Sequence, residues 1–178
     1  MKCVKWIFVV LLASSLTSFV EKNKTFSGLN VGDAAPEIDI KNNNDESASK
    51  SLEHPQFNLS SLKGKYVVLS FWASYDANSR IQNIQLSNML KSFPNDKIEM
   101  VSISYDDFES IFKETIRKDQ IVTSNLFIDL DGHQSEIYRD YKLDRGFNNY
   151  LLDGNGIIVA KNISVADLPL LTTMNFDN

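Results

Sequence analysis

Residues 66–72 read Tyr-Val-Val-Leu-Ser-Phe-Trp, seven residues of almost unbroken apolar and β-prone character. A strand with one wet face alternates apolar and polar side chains, so a run like this one fits a strand covered on both faces, at the centre of a sheet flanked by helices. The class is therefore α/β, and the flanking residues agree. Ser74–Phe93 has helical spacing, with Ile81, Ile84, Met89, Leu90 and Phe93 as the expected apolar stripe and Pro94 ending it. Lys97–Tyr105 reads as the next parallel strand, and a second helix is expected from Asp107, carrying Phe108, Ile111, Phe112 and Ile116. Leu126–Ile128 fits a short buried strand and Ser135–Tyr141 a short helix. Tyr150–Leu152 and Ile157–Ala160 fit a hairpin around the turn Asp153-Gly154-Asn155-Gly156, with a terminal helix after it. Right-handed crossovers set the first two helices against the sheet, which is central and mixed.

The start of the chain has a different character. Lys2 and Lys5 precede the apolar run Trp6–Ala13, and Ser14, Ser15, Thr17 and Ser18 follow it, the parts of a secretory signal over residues 1–20. The apolar core is short of the roughly 20 residues of a membrane span, so an uncleaved anchor is the lesser reading and the only route to a membrane. Residues 21–30 form a polar leader, and residues 31–178 one domain of adequate size for its own core. Within it, 41–56 (K-N-N-N-D-E-S-A-S-K-S-L-E-H-P-Q) has almost no apolar content and several turn formers, which marks a polar insertion, a surface loop or partly disordered segment in a hairpin.

The single cysteine, Cys3, lies inside the expected signal and would leave with it. A chain without that segment carries no thiol, although export normally delivers proteins to an oxidising compartment. Its 16 basic residues against 23 acidic ones leave a net charge of −7, which argues against nucleic acid or an anionic membrane as partner.

Phe71–Arg80 reads F-W-A-S-Y-D-A-N-S-R and resembles the F-W-A-S-W-C-x-P-C-R segment of exported thiol-disulfide oxidoreductases of the TlpA/ResA type, in the redoxin branch of the thioredoxin-like superfamily. Three other segments resemble the same family: V-G-D-A-A-P at 31–36, L-K-G-K at 62–65 and A-K-N-I at 160–163. The resemblance covers about Val31 to Leu171 and implies a thioredoxin-like fold. In register, Asp76 and Ser79 stand where the family has its two cysteines. Thiol-disulfide exchange needs one thiolate to attack and a second sulfur to resolve the mixed disulfide, and neither a carboxylate nor a hydroxyl substitutes for either. The implied reading is a degenerate member, with no catalytic residue and no cofactor.

Two departures decide the expected chemistry. The family's attacking thiol sits at a helix N-terminus, where unpaired N–H groups and the helix dipole lower its pKa. A carboxylate at Asp76 satisfies the same donors, so it is expected to cap the helix without doing the chemistry. The second departure is in the loop Tyr141–Asp153, which matches the family's Y-G-V-x-G-x-P-T-x-F-L-I-D run with Phe147 at the position of its cis-proline. A cis bond before a non-proline residue costs about 2.5–4 kcal/mol, so the Gly146–Phe147 bond is expected to be trans.

What is left is a candidate binding surface at the former active site: Trp72, Tyr75, Asp76, Ser79, Arg80 and Phe147. Trp72 is either part of that patch or core. Thioredoxin-like folds bind extended peptides there, which implies an envelope protein or peptide as partner. The two histidines, His54 and His133, are far apart and read as solvated rather than as metal ligands, and Asp129 and Asp131 do not complete a calcium loop. Three functions fit: a redox-inactive binding module exported to the periplasm or cell envelope, a structural or accessory remnant of the fold, and an enzyme or redox accessory that works through another protein's thiols. Fold membership alone does not choose among them.

Overall fold

A computed structural model describes residues 27–40, 57–92, 97–164 and 166–167. The expected signal, most of the polar leader, the insertion at 41–56, the Phe93–Pro94 helix end and the terminal helix lie outside the described residues.

The first strands, β1 (Asp39–Ile40) and β2 (Phe57–Asn58), form an antiparallel pair with Ile40 opposite Phe57, so the insertion joins the two arms of a hairpin. The main sheet holds β3 (Tyr66–Trp72), β4 (Ile98–Ser104), β5 (Asn125–Ile128), β6 (Asn149–Leu152) and β7 (Ile158–Lys161). Their spatial order is β5-β4-β3-β6-β7. β3, β4 and β5 run parallel, while β6 lies antiparallel to both β3 and β7. This is the mixed, helix-flanked sheet that the burial of β3 requires, and β3 is at its centre with every residue from Val67 to Trp72 buried.

Alternate residues of the strands feed two layers. Val67, Leu69, Phe71, Val101 and Ile103 pack on one face against Tyr138, Tyr141 and Leu143, which come from the short helix α3 (Glu136–Asp140) and the 3-10 turn after it. On the other face Val68 and Met100 pack against Leu86 of helix α1 (Ala77–Ser92), and Trp72 against Phe112 of helix α2 (Glu109–Asp119). Ser135 caps α3, its Oγ accepting from the Tyr138 N–H at 3.3 Å.

Both long helices bury part of the expected stripe, Ile84, Met89 and Leu90 in α1 and Phe112 and Ile116 in α2, and depart from it at other positions. In α1, Ile81 is 52% exposed, and Ser79, Asn83, Leu86 and Ser87 are buried as well. Asn83 and Ser87 meet partners through one oxygen each: Trp72 Nε1 donates to Ser102 Oγ at 2.8 Å, which donates to Asn83 Oδ1 at 2.9 Å, and the Val122 N–H donates to Ser87 Oγ at 3.2 Å, while Asn83 Nδ2 has no partner among the described residues. Buried polar groups survive when they find such partners. Helix α2 begins at Glu109 rather than Asp107; Phe108 precedes it at 63% exposed and Ile111 is 43% exposed, so Phe112 and Thr115 carry its buried face. Its C-terminus closes on Gln120 in the left-handed conformation, φ 54°.

Two contacts tie the periphery to the core. The Tyr141 hydroxyl, fully buried, donates to the Pro36 carbonyl at 2.6 Å and fastens the 31–36 segment to the sheet. Gly64 of the 62–65 turn donates its N–H to the Gly154 carbonyl at 2.8 Å, and a Cβ on Gly154 would come within 3.2 Å of the Gly64 backbone, so the β6–β7 turn needs glycine there. Replacing Tyr141 by Phe leaves the Pro36 carbonyl unpaired in the core. The expected loss is about 1–2 kcal/mol in urea unfolding; an unchanged midpoint would show that this bond does not hold the N-terminal segment.

Candidate functional site

The C-terminal ends of β3 and β4 open side by side, the place where parallel α/β sheets usually carry their sites. The loop after β3 brings Ser74, Tyr75 and Asp76 there, and the loop after β4 brings Tyr105, Asp106 and Asp107. β6 runs the other way, so the residues before it, Gly146–Asn148, arrive at the same end; the Phe71 N–H donates to the Asn148 carbonyl at 3.2 Å.

Asp76 immediately precedes α1 and caps it. Its Oδ1 accepts from the Ser79 N–H at 2.8 Å and its carbonyl from the Arg80 N–H at 3.0 Å. The Ser79 hydroxyl turns back to the Asp76 carbonyl at 3.3 Å, and Ser79 is only 3% exposed. The two positions are thus bonded to each other as a helix start. Arg80 forms a two-pronged ion pair with Asp119 at the end of α2, Nε to Oδ2 at 2.6 Å and Nη2 to Oδ1 at 2.7 Å. That hydrogen bond, ahead of the neighbouring charges, raises the Arg80 pKa above its ordinary value and commits the side chain to joining the two helices.

Of the six residues expected at a binding surface, the structure brings Tyr75, Asp76 and Phe147 together in the open. Tyr75 is 67% exposed, and its ring centroid lies 6.4 Å from that of the half-buried Phe147. Trp72 is corrected to core: it is fully buried, because the even-numbered face of β3 lies under the helices and Ser102 takes its indole N–H. Ser79 is likewise turned inward and Arg80 is engaged. The Gly146–Phe147 bond is trans. The Phe147 ring stacks on Tyr105, 5.8 Å between centroids at 20°, and Tyr105 meets Tyr138 edge-on at 5.4 Å.

Sequence reasoning missed Asp106, which is 2% exposed and holds the site loop. Its Oδ1 accepts from the Ser74 N–H and its Oδ2 from the Ser104 hydroxyl, both at 2.8 Å. An aspartate at the C-terminal end of a parallel strand was the available signal. Burial, followed by the charge of Asp107 and then by Tyr138, Asp106 and Asp76, raises the Tyr75 pKa above its ordinary value. Tyr105 is raised much further, by burial first and then by the charge of Asp129. Beside Tyr75 lies a shallow cavity of about 340 Å³ lined by Ser74, Tyr75, Ala77, Arg80, Ile81 and Ile84, which explains where the exposed Ile81 points. Among the described residues no group of three or more His, Cys, Asp or Glu side chains is placed to hold a metal ion.

Residues 31–161 match the AhpC/TSA family. The chain belongs to that family. Within it, the chain is a thioredoxin-like protein of the TlpA/ResA type. The thiol-disulfide oxidoreductase ResA of Oceanobacillus iheyensis is 25% identical over 134 residues, 75% of this chain and 67% of the relative. A thioredoxin-like protein from Parabacteroides distasonis superposes with a TM-score of 0.68 at 38% identity, covering 83% of this chain and 98% of that one. The thioredoxin domain of a thiol-disulfide oxidoreductase from Bacteroides vulgatus shares the fold, with a TM-score of 0.66 at 23% identity over 83% of this chain and all of that one.

The family's helix-start position is therefore occupied here by a cap that can be tested. Asp76→Ala removes the acceptor for the Ser79 N–H and is expected to cost about 1 kcal/mol, whereas Asp76→Asn keeps an acceptor in place and is expected to stay within a few tenths of the parent. Chemical denaturation of the two variants measures the difference, and equal losses would mean that the carboxylate does not act as a cap.

Proposed function

We propose that this chain is a redox-inactive, exported thioredoxin-like protein that binds an envelope protein or peptide at the face its relatives use for thiol exchange. The observation that carries this reading is the state of Asp76. At the family's attacking position it supplies the helix-start electrostatics through its bond to Ser79, and no sulfur is left there to react. The exposed Tyr75 beside Phe147 supports retention of a contact surface, since an exposed aromatic pair on a structured loop is the usual material of an interface. The basic-then-apolar start of the chain, and the exported oxidoreductases that its Phe71–Arg80 segment resembles, support export to the envelope. The burial of Trp72 favours a second reading, a structural or accessory protein of envelope redox homeostasis in which the binding face is lost.

Insulin-disulfide reduction tests the first half. The purified chain and its Cys3→Ser variant are both expected to show no turnover above the buffer rate. Turnover by either one overturns the inactive reading. Asp76→Cys, Ser79→Cys and Phe147→Pro made together are expected to restore partial reductase activity, because the helix start and the sheet beneath it are in place. The second half is read from copurification out of envelope extract: Tyr75→Ala with Phe147→Ala is expected to lose partners that the parent retains, and an unchanged set would favour the structural reading.

A further inference from the structure

The corner between the two loops has a charge as well as a shape. Tyr75 projects from it between Ser74, whose N–H is held by the buried Asp106, and the half-buried Asp76, and the exposed Asp107 follows Asp106. Among the described residues none of the three carboxylates has an ion-pair partner: the Arg80 guanidinium, whose charge reaches Asp106, is bonded to Asp119, and Asp106 accepts from Ser74 and Ser104. The cations of the neighbouring loop, Lys142 and Arg145, are exposed on either side of Asp144 and are not among the groups that act on Tyr75. The backbone beside the corner is also free. Among the described residues no hydrogen bond takes the N–H or the carbonyl of Phe147, while Asn148 Nδ2 covers the Gly146 carbonyl at 3.1 Å. An extended segment laid along Phe147 has one donor and one acceptor waiting, beside the Tyr75 ring and the Asp76 and Asp107 carboxylates.

We infer that the partner presents a basic extended segment, with an arginine or lysine side chain seated against Tyr75 and Phe147 and facing Asp76 and Asp107. The inference rests on the reading that this face binds a protein or peptide, and it names the chemistry of that partner. A guanidinium over an aromatic ring gains from the ring's quadrupole, and it gains more where carboxylates without counterions stand beside it. An acidic segment meets like charges at the same place, and repulsion of that kind excludes wrong partners. The net negative charge of the whole chain, −5, draws a basic partner from a distance.

The test uses the full chain labelled with nitrogen-15 and three short acetylated and amidated Gly-Ser peptides, matched in length, bearing arginine, serine or glutamate at the central positions. The arginine peptide is expected to shift the Tyr75 and Phe147 amide signals, to bind about tenfold more tightly than the glutamate peptide, and to weaken with added salt. Asp76→Asn with Asp107→Asn, which keeps a cap on α1, is expected to bring the arginine and glutamate peptides to within about twofold of each other. Equal binding of all three peptides to the parent at this face overturns the basic-partner inference and leaves the binding face standing. No shift at Tyr75 or Phe147 with the arginine peptide overturns the inference; if the Tyr75→Ala, Phe147→Ala variant also keeps every copurifying partner, the binding face falls with it. Broadening of these signals with protein concentration alone assigns the face to a second copy of this chain and overturns the inference as well.

Discussion

Keeping β3 dry on both faces is the constraint from which the site follows. A strand buried from Val67 to Trp72 needs one layer above, one below and a partner strand on each edge, and β4 and β6 supply the edges. Because β4 is parallel, its loop leaves the sheet at the same end as the loop of β3. Because β6 is antiparallel, it enters at that end. Tyr75, Asp106 and Phe147 are therefore neighbours by topology before any side-chain bond is made. The bonds from Ser74 to Asp106 and from Phe71 to Asn148 then fix the loops that topology has assembled.

At the start of α1 the electrostatic role of the family's thiol position separates from its chemical role. A helix N-terminus favours any group with negative charge or a lone pair, thiolate and carboxylate alike. Asp76 meets that demand through Ser79, so the scaffold loses little when the nucleophile is gone. The chemistry has no such substitute, since disulfide exchange passes through sulfur at every step. The same logic applies at Phe147. The ring stacks on Tyr105 and approaches Tyr75, so apolar contact and not a proline ring now shapes the loop.

The sheet was legible because its signals are local and strong. The run at 66–72, the Asp153–Gly156 turn and the short apolar stretches each specify an element within their own residues, and the strands found differ from those expected by at most one position at their ends. The cap at Asp76 was legible for the same reason, as an interaction confined to one helical turn. The inward face of α1 was legible only for Ile84, Met89 and Leu90. Apolar periodicity assumes that the buried side is apolar, and here Asn83 and Ser87 also face inward, where Ser102 and the Val122 N–H meet them. No window of α1 contains those partners. Asp106 escaped for a related reason: its bond to Ser74 joins residues 32 apart in sequence.

Whether an aromatic corner acts as a binding face depends on how much of it is already ordered when a partner arrives. Association costs the freedom of every loop and side chain that it immobilises, so a preformed surface converts more of its contact energy into affinity. Here the backbone on both sides of Tyr75 is pinned, Ser74 by Asp106 and Asp76 by its cap on α1. Phe147 is held from below by Tyr105, which is itself wedged against Tyr138. The exposed Tyr75 ring has freedom left to lose, and an aromatic side chain with two rotatable bonds loses little. Where the family's fold aims a thiol, this chain holds a tyrosine on a backbone pinned at both sides.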